Sequence, residues 1–218
     1  MTPATATKSD WRRRLLAARR ARSPAERAAA DSALVTTLMG TVSERAVRTV
    51  AAYSPLLTEP GGPALLPTLA SVAREILIPV LLPDRDLDWQ RWPSIDTPPA
   101  RTPVGKADPA AGPGGSAVPG GSDQLGGSDL VGSAELLGVT AVGGADLVVV
   151  PAVAVDLGGV RLGRGGGSYD RALARVGPGT LVVALLFDGE LVESLPAEPH
   201  DRRVHAVITP SGGLRHVG

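Results

Sequence analysis

The chain of 218 residues contains no cysteine. Disulfides, cysteine nucleophiles and thiolate metal sites are therefore excluded. Aromatic residues are scarce as well, with one Phe, two Tyr and three Trp. Since 43% of the chain is apolar, Val, Leu and Ala must fill the core. That composition predicts a Val/Leu-rich parallel sheet covered by Ala/Leu helices. Net charge is missing too: 22 basic residues cancel 22 acidic ones. A broad nucleic-acid surface carries a basic excess, so no nucleic-acid partner is expected. The longest apolar run, residues 147–155, is interrupted by Pro151 and falls far short of the roughly 20 residues of a bilayer span. The N-terminus lacks the apolar stretch of a signal peptide. These absences predict a soluble, cytoplasmic protein with no membrane partner.

What is present is uneven. Lys8, Arg12, Arg13, Arg14, Arg19, Arg20 and Arg22 crowd the N-terminus, either as a solvated helix face or as a local anion site. Residues 9–22 have helical composition, with Ser9 as the expected cap and Trp11, Leu15 and Leu16 on one side. Ser23-Pro24-Ala25-Glu26 starts a second helix, with Ser23 as N-cap, Pro24 in the first turn and Glu26 closing a capping box. Leu34, Val35 and Leu38 continue its apolar stripe, and Gly40 is the expected stop.

Strands are expected over 47–53, 76–81, 147–150, 180–186 and 204–209, with a short extended segment over 87–92. Pro79 should lie at a strand end or an edge. A short helix is expected over 64–74 and another over 168–176. Strands alternating with helices predict an α/β fold: an open, mostly parallel sheet flanked by helices in a Rossmann-like three-layer arrangement. Residues 98–133 break this pattern. Gly, Pro, Ser and Asp dominate there and apolar periodicity is missing. The expectation is a long, flexible Gly/Pro/Ser-rich insertion within a single domain of residues 1–218.

The strongest chemical signal is Arg161-Leu162-Gly163-Arg164-Gly165-Gly166-Gly167-Ser168-Tyr169-Asp170-Arg171, placed between a strand and a helix. Consecutive glycines let backbone N–H groups converge on an anion, and a helix N-terminus adds positive potential. Arg161 and Arg164 supply charge-assisted hydrogen bonds to phosphate oxygens. Asp170 adds a hard oxygen ligand, and Mg²⁺ binds through one or two carboxylates plus phosphate oxygens. Two familiar phosphate motifs are absent. No Gly-Lys-Ser/Thr of a P-loop occurs, and Ser168 stands where a dinucleotide fingerprint starting at Gly163 needs glycine.

The run DLVVVPAVAVDLGGVRLGRGGGSYDRALARV resembles the signature of the 5-formyltetrahydrofolate cyclo-ligase family (5,10-methenyltetrahydrofolate synthetases). The resemblance extends to the N-terminal helices, to 47–59, to the second strand and to 180–210, and it fails over roughly 95–145. It implies ATP-dependent conversion of 5-formyltetrahydrofolate to 5,10-methenyltetrahydrofolate, through phosphorylation of the formyl oxygen and release of ADP and phosphate. The implied partners are 5-formyltetrahydrofolate and ATP with Mg²⁺, bound by a monomer or weak homodimer.

Carried over residue by residue, the resemblance assigns ATP to Lys8 and Arg12 and to the loop Arg161, Gly163, Arg164, Gly165, Gly166, Gly167, Ser168 and Tyr169. It assigns the folate to Ser54, Glu59, Arg164 and Ser168, the metal to Asp170 and Asp201, and the catalytic role to Arg164 and Lys8. Lys8 and Arg12 are four residues apart, so a helix puts both on one face. Asp156 is expected to form a local turn or to orient Arg161 or Arg164. Trp89 and Trp92 are expected in the wall of the substrate pocket.

Three features depart from the family pattern. Pro60-Gly61-Gly62 follows Glu59, Ser168 replaces an aromatic, and no Glu-Pro precedes the strand at 147, Glu135 being the nearest candidate. These departures keep two further readings open: a member that binds nucleotide or folate but turns over poorly, and a related small α/β phosphotransferase with another substrate.

Overall fold

A computed structural model describes residues 6–92 and 135–218; the expected insertion at 98–133 lies outside the described residues. Helix α1 (Lys8–Ala21) is capped by Thr7, whose hydroxyl accepts from Asp10 N while the Asp10 carboxylate accepts from Thr7 N. The expected cap, Ser9, instead lies inside the first turn, because Thr7 and Asp10 satisfy the free amides with a cap two residues earlier. Helix α2 (Pro24–Glu44) starts at the Ser23–Glu26 capping box as expected. It runs through Gly40, which does not stop it: Thr41 and Val42 beyond that glycine are buried and continue the apolar stripe. Packing of that stripe outweighs the roughly 1 kcal/mol that glycine costs a helix.

The remaining elements follow in order: β1 (Thr49–Ala52), α3 (Leu65–Ala70), β2 (Glu75–Leu81), β3 (Leu87–Arg91), a 3-10 turn (Ala141–Gly144) and β4 (Leu147–Val150). Then come β5 (Ala154–Asp156), β6 (Arg161–Leu162), α4 (Ser168–Leu173), β7 (Leu181–Leu185), β8 (Leu191–Val192), β9 (Ala206–Thr209) and β10 (Gly213–His216). Seven strands form one sheet in the order β10-β9-β7-β4-β1-β2-β3. The five central strands are parallel, and β3 and β10 close the edges antiparallel. Pro79 is tolerated because the ladder with β1 ends at Leu77, so nothing on that side asks for its missing N–H.

The sheet is buried on both faces, and alternation assigns each side chain to one of them. Val50, Ala52, Leu147, Val149, Val183 and Leu185 pack against Leu34 and Leu38 of α2 and Leu65 and Leu69 of α3. Ala51, Val148, Val150, Val182 and Ala184 face the opposite layer, with Leu173 of α4 and Trp89. At the start of β4, the Asp146 carboxylate accepts from Arg48 N at 2.8 Å and Thr49 N at 2.9 Å, tying the entries of two parallel strands together.

The sequence reading contains no hint of the second sheet, β6-β5-β8. Its strands have two or three residues, too few for a periodic signal. Helix α1 packs on it, through Leu15 against Val153, Ala154, Val160, Leu162 and Leu195, with Trp11 and Leu16 beside them. Asp156 holds this unit together: Oδ1 accepts from Val160 N at 2.8 Å and Oδ2 from Leu195 N at 2.9 Å. The turn reading of Asp156 is correct, and it orients neither arginine. Helix α4 is six residues long, shorter than the 168–176 expected, and Gly167 precedes it without a side-chain cap.

Candidate functional site

The strand order reverses direction between β1 and β4, and in doubly wound sheets ligands bind beyond the carboxyl ends of strands at such a point. Here a cleft of about 1140 Å³ opens there. Tyr53 and Ser54 leave β1 into it, and Pro151, Ala152 and Val153 leave β4 into it. Every residue singled out from the sequence for ATP, folate or metal lines this cleft. The first helix, the loop after β1, the glycine loop and the segment near residue 200 are far apart in the chain; docking of α1 on the small sheet brings the first of them in.

The glycine loop runs from Gly163 to Gly167, between β6 and α4. Gly165 has φ +105° and Gly167 φ +72°, left-handed conformations that a side chain disfavours. Arg12 lies along the loop and donates from Nε to the Gly163 carbonyl at 2.8 Å. Helix α4 is short and uncapped, so its terminus contributes little to attracting an anion, and loop amides and cationic side chains would have to supply that attraction.

Each cation of the cleft is paired with an acid of the cleft, Arg12 and Arg19 apart. Lys8 Nζ donates to Asp201 Oδ2 at 2.8 Å and lies 3.2 Å from Glu198 Oε1. Burial works against the Lys8 ammonium, but these two carboxylates outweigh it and its pKa is raised. For Asp201, burial pulls upward, while Lys8 and the Glu198 amide pull further downward, so its pKa is lowered. Arg161 is buried; it donates to Asp170 Oδ1 at 3.0 Å and to the Pro151 carbonyl at 3.3 Å. Arg164, half exposed, donates from Nε to Glu59 Oε1 at 3.0 Å.

Glu59 is held in turn by its own loop. Its Oε2 accepts from Leu56 N at 3.0 Å, and its N–H donates to the Leu56 carbonyl at 2.8 Å. The Tyr53 hydroxyl donates to the Pro60 carbonyl at 2.6 Å, and Gly61 N donates to Asp31 Oδ1 of α2 at 2.9 Å. Burial, then the neighbouring Glu59, push the Tyr53 hydroxyl well above its ordinary pKa, so it stays a donor. The Pro60-Gly61-Gly62 departure has a structural reason. Gly62 has φ +57°, and a Cβ there would clash with the Asp31 carboxylate.

Three buried polar atoms among the described residues lack a hydrogen-bond partner: Arg161 Nε, Tyr169 OH and Trp89 Nε1. The first two belong to cleft residues, and the Arg161 guanidinium lies 5.8 Å from the Tyr169 ring centre. Burial raises the Tyr169 pKa despite Arg161, which again leaves a hydroxyl able to donate. Trp89 does not stand in the wall of the substrate pocket, where it was expected. It is fully buried in the core, and neither it nor Trp92 lines the cleft. Trp92 packs at the opposite ends of the strands, beside Arg48 and Asp146.

Among the cleft residues to which the sequence assigned no site role are Leu56 and Leu81, whose apolar side chains are exposed, Glu198, and Arg19 on the buried side. The exposed leucines carry no sequence signal, since they sit in loop and strand-end positions. In the sequence Arg19 is one basic helix residue among several, and only the tertiary structure separates it from its solvated neighbours.

A glycine-rich loop beside paired cations and carboxylates, at the switch point of a parallel sheet, is an arrangement shared with phosphate-handling α/β proteins. The chain belongs to the 5-formyltetrahydrofolate cyclo-ligase family, whose model matches residues 4–119 and 127–210. That match enters the low-complexity segment further than the motifs do. A 5-formyltetrahydrofolate cyclo-ligase from Mycolicibacterium smegmatis is 34% identical over 172 residues, 77% of this chain and 76% of its own length. One from Escherichia coli is 46% identical over 67 residues, 30% of this chain and 37% of its own. The solution structure of an Aquifex aeolicus 5,10-methenyltetrahydrofolate synthetase aligns over 96% of this chain and 92% of its own, with TM-score 0.68 and 25% identity. A Mycoplasma pneumoniae synthetase aligns at TM-score 0.65 over 92% and 96%; at 16% identity it shows the shared fold alone. No described helix is long and apolar enough to cross a membrane.

Proposed function

We propose that the chain converts 5-formyltetrahydrofolate to 5,10-methenyltetrahydrofolate at the expense of ATP, as its family does, using the residues of this cleft. The supporting observation is the convergence of the glycine loop, Lys8, Arg12, Asp170, Asp201 and Glu59 on one cavity. In this reading the triphosphate lies along residues 163–167, held by backbone N–H groups with Lys8 and Arg12. Glu59 receives paired hydrogen bonds from the pterin edge. Ser54 and Ser168 add hydroxyl contacts, and Leu56 and Leu81 cover the apolar part of the folate.

The formyl oxygen attacks the γ-phosphorus, the bond to the bridging oxygen breaks, and ADP leaves. N10 then attacks the activated formyl carbon and loses its proton, and the carbon–oxygen bond breaks to release phosphate. The protein supplies no nucleophile. Positioning and charge neutralisation carry such a transfer. In this reading Arg164, on the glycine loop and hydrogen-bonded to Glu59, neutralises charge on the phosphoryl group in transit.

Mg²⁺ fits the donor set. Asp170 and Asp201 both line the cleft, and each keeps one carboxylate oxygen, Oδ2 and Oδ1 respectively, outside the hydrogen bonds described. Among the described residues no three acids or histidines form a cage, so these two carboxylates would share the ion with phosphate oxygens and water. Bound there, the ion supplies further neutralisation of the phosphates. A cytoplasmic location belongs to the same reading.

The test is direct. The full chain is mixed with 5-formyltetrahydrofolate and Mg-ATP, and methenyltetrahydrofolate is followed by its near-ultraviolet absorbance. Turnover on the order of 1 s⁻¹ or faster is expected. ATP binding without product would establish a binding protein in place of an enzyme. Hydrolysis of ATP only with another substrate would establish a different phosphotransferase.

A further inference from the structure

Arg19 is 1% exposed, yet it forms part of the cleft lining. Its Nε donates to Glu190 Oε1 and its Nη2 to Glu190 Oε2, each at 2.7 Å. Nη2 also donates to the Ala152 carbonyl at 2.6 Å. Glu190 is buried as well, and its Oε2 accepts from Phe187 N at 2.9 Å. The reaction proposed above uses neither side chain. A buried ion pair rarely stabilises a fold more than apolar residues of equal volume, because both charges must leave water. What the pair offers is direction: a guanidinium projects its donors in a rigid planar fork.

Three segments meet at that fork. They are α1 through Arg19, the exit of β4 through Ala152, and the turn before β8 through Phe187 and Glu190. The same turn is gripped a second time from the end of α1: Arg22 lies 4.6 Å from the Phe187 ring centre and donates to the Asp188 carbonyl at 3.2 Å. One residue before Ala152, the Pro151 carbonyl accepts from Arg161, which leads into the glycine loop. The exit of β4 is therefore bridged to α1 by one arginine and to the loop by another. On α1, Lys8, Arg12 and Arg19 recur at i, i+4 and i+11, which brings them to one face.

We propose that Arg19, seated on Glu190, is a positioning residue that fixes how far α1 extends along the glycine loop, so that Lys8 and Arg12 reach the polyphosphate. The inference rests on the nucleotide reading of the cleft. A slip of one residue along the helix is a displacement of about 1.5 Å. Misplacement of about 1 Å costs on the order of 100-fold in rate where geometry carries the chemistry.

The experiment uses the full chain and four variants: Arg19→Lys, Arg19→Met, Glu190→Gln and the apolar pair Arg19→Met/Glu190→Leu. Calorimetry gives the Kd for Mg-ATP, steady-state kinetics gives KM for ATP and for 5-formyltetrahydrofolate, and thermal unfolding gives Tm. Arg19→Lys keeps the charge and loses the fork; Kd and KM for ATP should rise about tenfold, with KM for the folate within about twofold. Glu190→Gln turns one of the two acceptors into a donor facing Arg19 and leaves the buried guanidinium without its counter-charge, so Tm should fall and KM for ATP should rise about threefold or more. The apolar pair should regain the Tm lost by Arg19→Met but not the affinity for ATP, which separates position from stability. Wild-type affinity and KM for ATP in both Arg19→Lys and the apolar pair would overturn the proposal. Should the apolar pair not fold, Arg19→Lys alone decides. Failure of the wild-type chain to bind Mg-ATP would instead remove the nucleotide reading, and the positioning role with it.

Discussion

The Arg164 guanidinium donates to the Glu59 carboxylate at 3.0 Å, joining residues 105 positions apart. One partner rides on the glycine loop and the other on the loop after β1, so a single ion pair spans the proposed phosphate and folate sides of the cleft. Both ligands would compete with this contact.

Arg164→Ala is expected to lower kcat by roughly 100-fold, the usual cost of removing one group that stabilises transition-state charge. Arg164 is 49% exposed, so Tm should move by only about 2 °C. Absorbance assays and a melting curve check both halves. Unchanged kinetics would remove Arg164 from the mechanism.

Glu59→Gln should raise KM for 5-formyltetrahydrofolate by about 10-fold or more and leave KM for ATP within about twofold. One charge-assisted contact to the pterin edge would be weakened, at about 1.4 kcal/mol or more. Equal rises in both constants would show that Glu59 acts by holding Arg164 and not by touching folate.

Gly62→Ala places a methyl against the Asp31 carboxylate at a backbone φ of +57°. Left-handed backbone and the clash together should cost about 1–3 kcal/mol of stability. Since this turn also seats Glu59, KM for the folate should rise with it. Denaturant titration and kinetics on one sample test the coupling; a loss of stability with unaltered KM would separate the turn from the site.

Asp146 supplies a pH-dependent part of the stability. The Thr49 and Arg48 amides hold its carboxyl below its ordinary value of 3.8. Its folded pKa is lower than its unfolded one, so its contribution is complete above the unfolded value and is lost as pH falls through the folded one. The stability difference between wild type and Asp146→Ala should be flat above about pH 5 and shrink below about pH 4. A difference that grows on acidification would contradict this.

The family, the main strands and the chemical inventory of the cleft were legible in the chain itself. Valine-rich runs flanked by turn residues (Leu147 to Val150 is the clearest) announce strands buried on both faces, and the Ser23–Glu26 box announces a helix start. The glycine loop with its arginines announces an anion site because its chemistry is contiguous. Elements too short for periodicity escaped: β5, β6 and β8 have two or three residues each, and pairing alone makes them strands. Gly40 and Ser9 misled because local signals lost to packing in one case and to a better cap in the other.

Sequence by itself determined which groups are available: glycine amides, guanidinium and ammonium cations, and a few carboxylates, with no thiol among them. Only the tertiary structure decided which acid each cation meets and which arginine is buried. Arg19 and Arg20 are adjacent and chemically identical, yet one is sealed under the cleft against Glu190 and the other faces solvent. Helical periodicity points them in different directions, and what waits in each direction is set by segments more than a hundred residues away.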